Sequence, residues 1–300
     1  MEVRLIKRED IDKTKWNSCV HFAGNGNIFA YQWYLKNTTE NEWDGLVEGD
    51  YESVMPLIWQ KRFPSRKELY VPDMIREAGI YSIHLLSKRR IQKFIEAIPE
   101  QYGAQRIHLN QGGMMPDLQA YKSTVHPNYL LFLQDIYEDI SQNFNSHIRE
   151  EIEKAETYRL MPISSMRPEK IANFYKRHSQ RKKGLEKRYH AYLRIMYNAL
   201  HRGWGFASGI VNRQQELCAT CFFIYSHNKA MALLPAASPE GKQHGALAYM
   251  IDLFIRSHAG RPTILDFNSY RSEWSTALLK GFGAIEGSFV QLDKKGKWWF

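Results

Sequence analysis

Apolar and polar positions along this chain alternate with a period of two in some stretches and of about 3.6 in others, and the two kinds of stretch follow an order that occurs twice. Residues 2–7 alternate charged and apolar and are expected to form a strand, followed by a helical stretch over Glu9–Val20. Gly24–Asn27 reads as a loop, Ala30–Leu35 as an aromatic-rich helix, and Trp43–Val47 with Tyr51–Lys61 as a hairpin turning at Glu48, Gly49 and Asp50. Pro56 has no N–H to donate, which confines its part of that hairpin to an edge or a bulge. Ser87 suits the cap of a helix in which Ile91, Phe94, Ile95 and Ile98 form one apolar stripe. Strands are expected at Arg106–Asn110 and Asn128–Gln134.

A second series then starts. Ser146 is placed to cap a helix carrying Ile148, Ile152 and Ala155, and Leu160–Ser164 reads as a short strand. Pro168 fits the first turn of a helix with Ile171, Phe174 and Tyr175 inward. Tyr189–Arg202 is a further helix stopped by Gly203. Gly205–Asn212, Glu216–Tyr225 and Lys229–Ala236 read as strands joined by turns of hairpin length. Each half therefore runs strand, helices, antiparallel meander, helix, strand, hairpin. The elements repeat but the residues do not. The fold class expected is α+β with a mixed sheet in two tandem units, residues 1–145 and 146–300.

Composition sharpens this only in places. The net charge is +9 with a pI near 9.3, which favours an anionic partner: a phosphorylated carrier, a nucleotide-linked substrate or RNA. No apolar run reaches the ~18–20 residues needed to span a bilayer, and the first residues lack the apolar core of a signal peptide. A cytoplasmic protein with no membrane insertion is expected. Cys218 and Cys221 form a CxxC, but within a strand residues three apart point to opposite faces, so core packing is expected over metal binding.

Residues 229–290 hold the chemistry. The strand Lys229–Ala236 runs into a loop, Ala237–Ala246, ahead of a helix over His244–His258 with Leu247, Met250, Ile251, Phe254 and Ile255 on a broad apolar face. Gly260 ends that helix; a strand, Pro262–Phe267, and a helix, Glu273–Lys280, follow, closing on Gly281, Phe282 and Gly283. Strands Ile285–Leu292 and 297–300 complete the chain. Glycines before a helix let backbone approach phosphate, and the helix start offers unpaired N–H groups and a positive dipole end. Lys242 adds a charge there. A glycine-containing turn before a helix is also common for purely structural reasons.

Gly241, Lys242, Gly245 and Ala246 resemble, in looser form, the pyrophosphate loop of the GNAT superfamily of CoA-dependent acyltransferases. Asp266 and Phe267, then Ala277 through Ala284, resemble that superfamily's closing strand and helix. Ser146, Arg149, Lys154 and Ala155 are similar to the helix that joins the halves of FemAB-like proteins, which carry two GNAT-like units. The resemblance implies a first GNAT-like domain without a cofactor loop, with only Ser87-Lys88-Arg89-Arg90 as a candidate, serving as half of a substrate cleft. It implies a second domain that holds the donor: acyl-CoA such as acetyl-CoA, or aminoacyl-tRNA, without a metal.

The same resemblance implies contacts to the donor from Leu234, Ala236, Ser238, Gly241, Lys242, Gly245 and Ala246, with backbone of Leu234–Ser238 as the oxyanion donors. Asp266 and Tyr270 stand as catalytic candidates, a base or backbone anchor and a proton donor or packing residue respectively. Asn268, Ser269, Arg271 and Arg149 stand as substrate contacts, though polar loop residues are also turn formers. Asn268 and Ser269 depart from the acidic residue or glycine that similar sequences carry. His244, at a helix start, suits a neutral base or an ordinary turn.

The implied reaction moves an acyl or aminoacyl group to an amine, on a small molecule or a cell-wall precursor. Two other readings are kept: a non-catalytic GNAT-like binding protein, and an RNA-binding module using the basic run at 176–188, which otherwise is a solvated face. Trp33, Tyr34, Trp43, Trp59 and Tyr70 read as core, with a substrate cleft as the alternative.

Overall fold

A computed structural model describes residues 2–62, 66–109, 115–179, 185–267 and 273–296. The chain divides into two compact units, 1–127 with 287–300, and 128–286. Residues 128–145 thus go with the second unit and the C-terminal segment with the first, where element order alone draws one cut at 145/146.

In the first unit the strands are β1 (Val3–Lys7), β2 (Trp43–Glu48), β3 (Ser53–Arg62), β4 (Arg66–Leu69), β5 (Tyr81–Ser82) and β6 (Tyr102–Leu109), and its helices are α1 (Lys13–Phe22), α2 (Gln32–Thr38) and α3 (Lys88–Glu96). The sheet order is β1-β2-β3-β4-β6, with the end of the last strand, β13 (Ile285–Lys294), antiparallel to β6 and β5 beside β3. Asp12 rather than Glu9 starts α1, its carboxylate accepting the N–H groups of Thr14 and Lys15. A 3-10 turn at Arg8–Asp10 precedes it. Ser87 caps α3 by accepting the Arg90 N–H. Ile91, Phe94 and Ile95 bury onto the face of Leu46, Met55, Leu57 and Trp59, each worth about 1.5–3 kcal/mol in apolar burial. Pro56 lies opposite Gly45 of β2, in the gap between the stretches of β3 that pair with β5 and with β4, so its missing N–H leaves no ladder bond unmade. Trp33, Tyr34, Trp43 and Trp59 are buried.

The second unit takes the end of β7 (Lys122–Phe132), then α4 (Tyr137–Gln142), α5 (Ser146–Thr157), β8 (Met161–Ile163), α6 (Pro168–His178), α7 (Leu185–His201), β9 (Gly205–Val211), β10 (Leu217–Ser226), β11 (Lys229–Ala237), α8 (Pro239–Gln243), α9 (Ala246–His258), β12 (Ile264–Asp266) and α10 (Glu273–Gly281). Its sheet order is β7-β12-β11-β10-β9-β8, antiparallel except for the parallel pair β11–β12. Asn145, one residue before the expected cap, caps α5 by accepting the Ile148 N–H. All five apolar residues expected on α9 are buried. Phe254 stacks on Phe223 at 4.4 Å and on His258 at 4.0 Å, which seats α9 on β10. Asp252, the buried acid of α9, accepts from the Tyr137 hydroxyl at 2.6 Å and from Arg256 Nε at 2.7 Å, fastening α4 to α9.

Cys218 and Cys221 are buried free thiols, and burial pushes both up, Cys218 to about 11. Among the described residues no helix is long and apolar enough to cross a membrane, and no cluster of metal-ligating side chains is found.

Candidate active site

The segment from β11 to α9 departs from regular geometry where the sequence places its chemistry. Opposite β10, Thr220 faces Ala236 and Phe222 faces Leu233, so β11 carries one residue more than its partner between those pairs. This is a β-bulge at Leu234 and Pro235. Leu234 sits in the left-handed region, φ +51°, while 4% exposed. A branched residue there costs roughly 1–2 kcal/mol, and the following proline disfavours helical backbone further. Leu234 is buried, so its surroundings hold the conformation against that cost.

The parallel partner β12 reaches β11 only at Lys229–Met231. From Ala232 to Ala237 that edge of β11 has no strand beside it among the described residues. Within 234–238, Pro235 lacks an N–H and the Ser238 N–H donates to the Cys218 carbonyl at 2.9 Å. With Ser238 donating to β10, the alternation of the ladder turns the Ala236 N–H toward β10 and the Ala237 N–H toward the opposite edge.

Beyond β11 the expected open loop is partly helix. The Ser238 hydroxyl accepts the Gly241 N–H at 3.0 Å and Pro239 takes the first helical position, producing α8. Ser-Pro followed by an acidic residue carried this signal in the sequence. A Cβ on Gly241 would stand 2.0 Å from the Cys218 carbonyl oxygen. One on Gly245, itself at φ +64°, would stand 2.0 Å from the Glu151 carbonyl oxygen. Both glycines face protein backbone, packing α8 on β10 and the start of α9 on α5. Gly245 precedes the first turn of α9, whose residues Ala246, Leu247 and Ala248 are buried.

Asp266 closes β12, in register with Met231 of β11 and Leu130 of β7, and is 2% exposed. Asn268, Ser269, Tyr270 and Arg271 lie outside the described residues, so the structure does not place them against Asp266. Arg149 is engaged within its own unit: Nε donates to the Phe144 carbonyl at 3.0 Å, and Nη2 to those of Ser141 at 2.8 Å and Gln142 at 3.1 Å. It closes the C-terminal end of α4, a common use of arginine near orphan carbonyls.

Three features were missed by sequence reasoning. His244 stacks face to face on Tyr158, with ring centroids 3.6 Å apart. The Tyr158 hydroxyl and the Asn212 amide both donate to Glu240 at 3.0 Å, a bond that raises the Tyr158 phenol. Third, the described start of the basic run lies on a helix that packs on the strand leading into the glycine segment. Lys176, Arg177 and His178 form the last turn of α6, and α6 packs on β11. His178 is held below the usual imidazole range by partial burial first, then by Arg177 and Lys242. Residues 180–184 of the run lie outside the described residues. Nothing in spacing alone joins positions 178 and 242; the pairing of α6 with β11 does.

No family model and no curated protein matches this sequence. Solved structures do match. FemX is 12% identical with a TM-score of 0.68, covering 97% of each chain. L-PGS from Bacillus licheniformis is 10% identical at 0.58, covering 96% of this chain and 93% of its own. A tandem GNAT protein from the clavulanic acid biosynthesis pathway is 13% identical at 0.52, covering 98% of each. At such identities the likeness is one of fold, and over nearly its whole length this chain has the tandem GNAT-like fold of FemAB-type proteins.

Proposed function

We propose that this protein is an acyltransferase that moves an acyl or aminoacyl group from a phosphate-bearing carrier, acyl-CoA or aminoacyl-tRNA, to an amine. The observation that carries the reading is the bulge in β11. A buried leucine held at φ +51° opens an edge of strand backbone beyond the short parallel pair with β12. Backbone N–H groups fixed in this way are suited to a carbonyl oxygen that becomes negative as an amine attacks. Ala237, and Leu234 within the bulge, supply those groups in this reading; the Ala236 N–H, two residues before that of Ser238, lies on the β10 side.

The amine lone pair attacks the carbonyl of the thioester or ester, and a tetrahedral centre forms. Collapse breaks the bond to the carrier's sulfur or oxygen, which leaves with a proton, while the nitrogen loses one. Asp266 is assigned to the nitrogen, as base or as anchor of the strand end. Tyr270 is assigned to the leaving group, and Asn268, Ser269 and Arg271 to the acceptor. Arg149 is left out of the acceptor site, because its guanidinium already closes α4. Acceptors considered are small-molecule amines and cell-wall precursors.

Calorimetric titration with acetyl-CoA and with a charged tRNA, followed by mass spectrometry of amine mixtures, tests the reading. Binding of one carrier and appearance of an acylated amine is the expected result. Binding of neither carrier overturns it.

A further inference from the structure

The turn between β5 and α3 carries the most exposed large apolar side chain among the described residues. Leu85 is 95% exposed and Ile83 48%. Exposed apolar residues scattered singly are ordinary on a protein surface. Here, however, they follow closely along a turn whose backbone is tied down. The Ile83 N–H donates to the Glu52 carbonyl at 3.1 Å, and the His84 N–H to the Ser82 hydroxyl at 3.0 Å. His84 Nε2 lies 3.1 Å from the Glu52 carboxylate, and Arg90 Nη1 donates to the Leu85 carbonyl at 3.2 Å. Leu86 packs on the core that α3 covers, so one leucine faces inward and its neighbour is held in water.

Phe22, 70% exposed at the end of α1, adjoins this turn. On either side of it the chain is bonded to residues entering β5. The Cys19 thiol donates to the Tyr81 carbonyl at 3.7 Å, and Asn25 Nδ2 to the Ile80 carbonyl at 2.6 Å.

Cations follow the turn directly. Lys88 and Arg89, both exposed, open α3, where a helix start favours acids and the first turn has none. Arg90 and Lys93 are matched by Glu48 at 3.0 and 3.3 Å. Among the described residues, Lys88 and Arg89 have no ion pair and no side-chain hydrogen bond. The other carboxylates of the β2–β3 hairpin, on which β5 pairs, are held: Glu52 by His84 and Asp50 by Lys15 at 2.7 Å. Glu96, the acid of α3, accepts from Gln92. Positive charge is thus left uncompensated beside aliphatic surface.

That combination selects the partner. Single-stranded RNA is held by flat side chains on which bases stack, and leucine and isoleucine offer none. An anionic bilayer surface matches both parts: cations lie among the headgroups while apolar side chains reach the acyl boundary.

We infer that residues 83–89, with Phe22 beside them, dock the first unit on the surface of a bilayer carrying anionic lipid. Leu85 reaches past the headgroups, and Lys88 and Arg89 lie among their phosphates. Such docking lies on a membrane and needs no spanning helix. It stands apart from the transfer reaction proposed above and does not depend on it.

The test sediments the full chain with vesicles of phosphatidylcholine alone and with about 30 mol % phosphatidylglycerol added, at low and at high salt. The wild type is expected to bind the anionic vesicles at low salt, and to bind less at high salt or on neutral vesicles. Leu85→Ser is expected to weaken binding at least about fivefold through lost apolar burial. Lys88→Gln and Arg89→Gln are expected to weaken it by about fivefold each. Val125→Ser and Lys122→Gln, which change an exposed apolar residue and an exposed cation on β7, should leave it unchanged. Thermal melts check that each variant is folded. A wild type that binds neither vesicle overturns the inference, as do folded variants of Leu85, Lys88 and Arg89 that bind as the wild type does. Loss in the two cation variants with Leu85→Ser unaffected would mean a surface for a soluble polyanion such as RNA, and overturns membrane docking. Equal loss in Lys122→Gln would mean diffuse attraction by a chain of net charge +9, and overturns it too.

Discussion

A Cβ on Gly245 would stand 2.0 Å from the carbonyl oxygen of Glu151, so the start of α9 and the middle of α5 touch backbone to backbone. Gly245 is also left-handed, at φ +64°, as is Gly260 at φ +75°, where a Cβ meets nothing. The two positions separate strain from collision. Gly260→Ala is expected to cost about 1 kcal/mol, the left-handed penalty alone. Gly245→Ala adds a clash that only backbone movement relieves and is expected to cost at least about 3 kcal/mol. Urea unfolding of both variants checks this; equal losses would mean that α5 and α9 do not meet as described.

Leu234 allows a similar comparison within β11. Leu233 and Leu234 are both buried, at 7% and 4%, but only Leu234 has a positive φ. Replacing either by glycine empties a comparable volume, while Leu234→Gly also releases the left-handed strain. It is therefore expected to be less destabilising than Leu233→Gly by about 1–2 kcal/mol. Under the proposed chemistry, Leu234→Gly also loosens the oxyanion donors, so acyl transfer falls while stability is the better retained of the two. Equilibrium unfolding alongside a transfer assay reads both effects.

The elements were legible because their periods are strong: α9 shows its five-residue apolar face, and α3 its stripe with Ser87 as cap. What was not legible has identifiable physical reasons. α8 lies within the stretch Ala237–Ala246 that reads as loop, and the close approach to Cys218 that requires glycine at 241 is a tertiary fact. The bulge at Leu234 arises from pairing with β10, which local propensity does not encode. The end of the chain reads locally as a hairpin of the second unit, yet β13 lies against β6 of the first. The effect of Lys242 on His178, across more than sixty positions, follows from α6 packing on β11.

Arg149 separates a structural role from a substrate role. Its bonds to the carbonyls of Ser141, Gln142 and Phe144 lock the end of α4, and α4 is tied in turn to α9 through Tyr137 and Asp252. Arg149→Met is expected to cost about 1–3 kcal/mol, since bonds to a charged donor are lost and three carbonyls need new partners. Hydrogen exchange should quicken first in residues 137–145. Carrier affinity, measured below the new melting temperature, should be unchanged. A variant of full stability with weakened substrate binding would return Arg149 to the acceptor site.

Buried phenols set an alkaline limit on stability. Burial pushes Tyr31 up to about 12, and it raises Tyr225 and Tyr137 as well, the latter also through its bond to Asp252. In the unfolded chain these groups ionise near their ordinary value of about 10. Between that value and their folded values, the unfolded state binds fewer protons than the native one, so stability falls as pH rises. Their contribution is whole below about pH 10 and is lost progressively above it. Thermal melts from pH 8 to 11 should show a midpoint that is flat at first and then declines, with tyrosinate absorbance near 295 nm rising in step with unfolding. Tyr225→Phe should soften the decline, since the His258 ring then loses a hydrogen-bond partner but no phenol needs to stay protonated there. An absorbance rise that precedes unfolding would mean that these rings are open to solvent in the native protein.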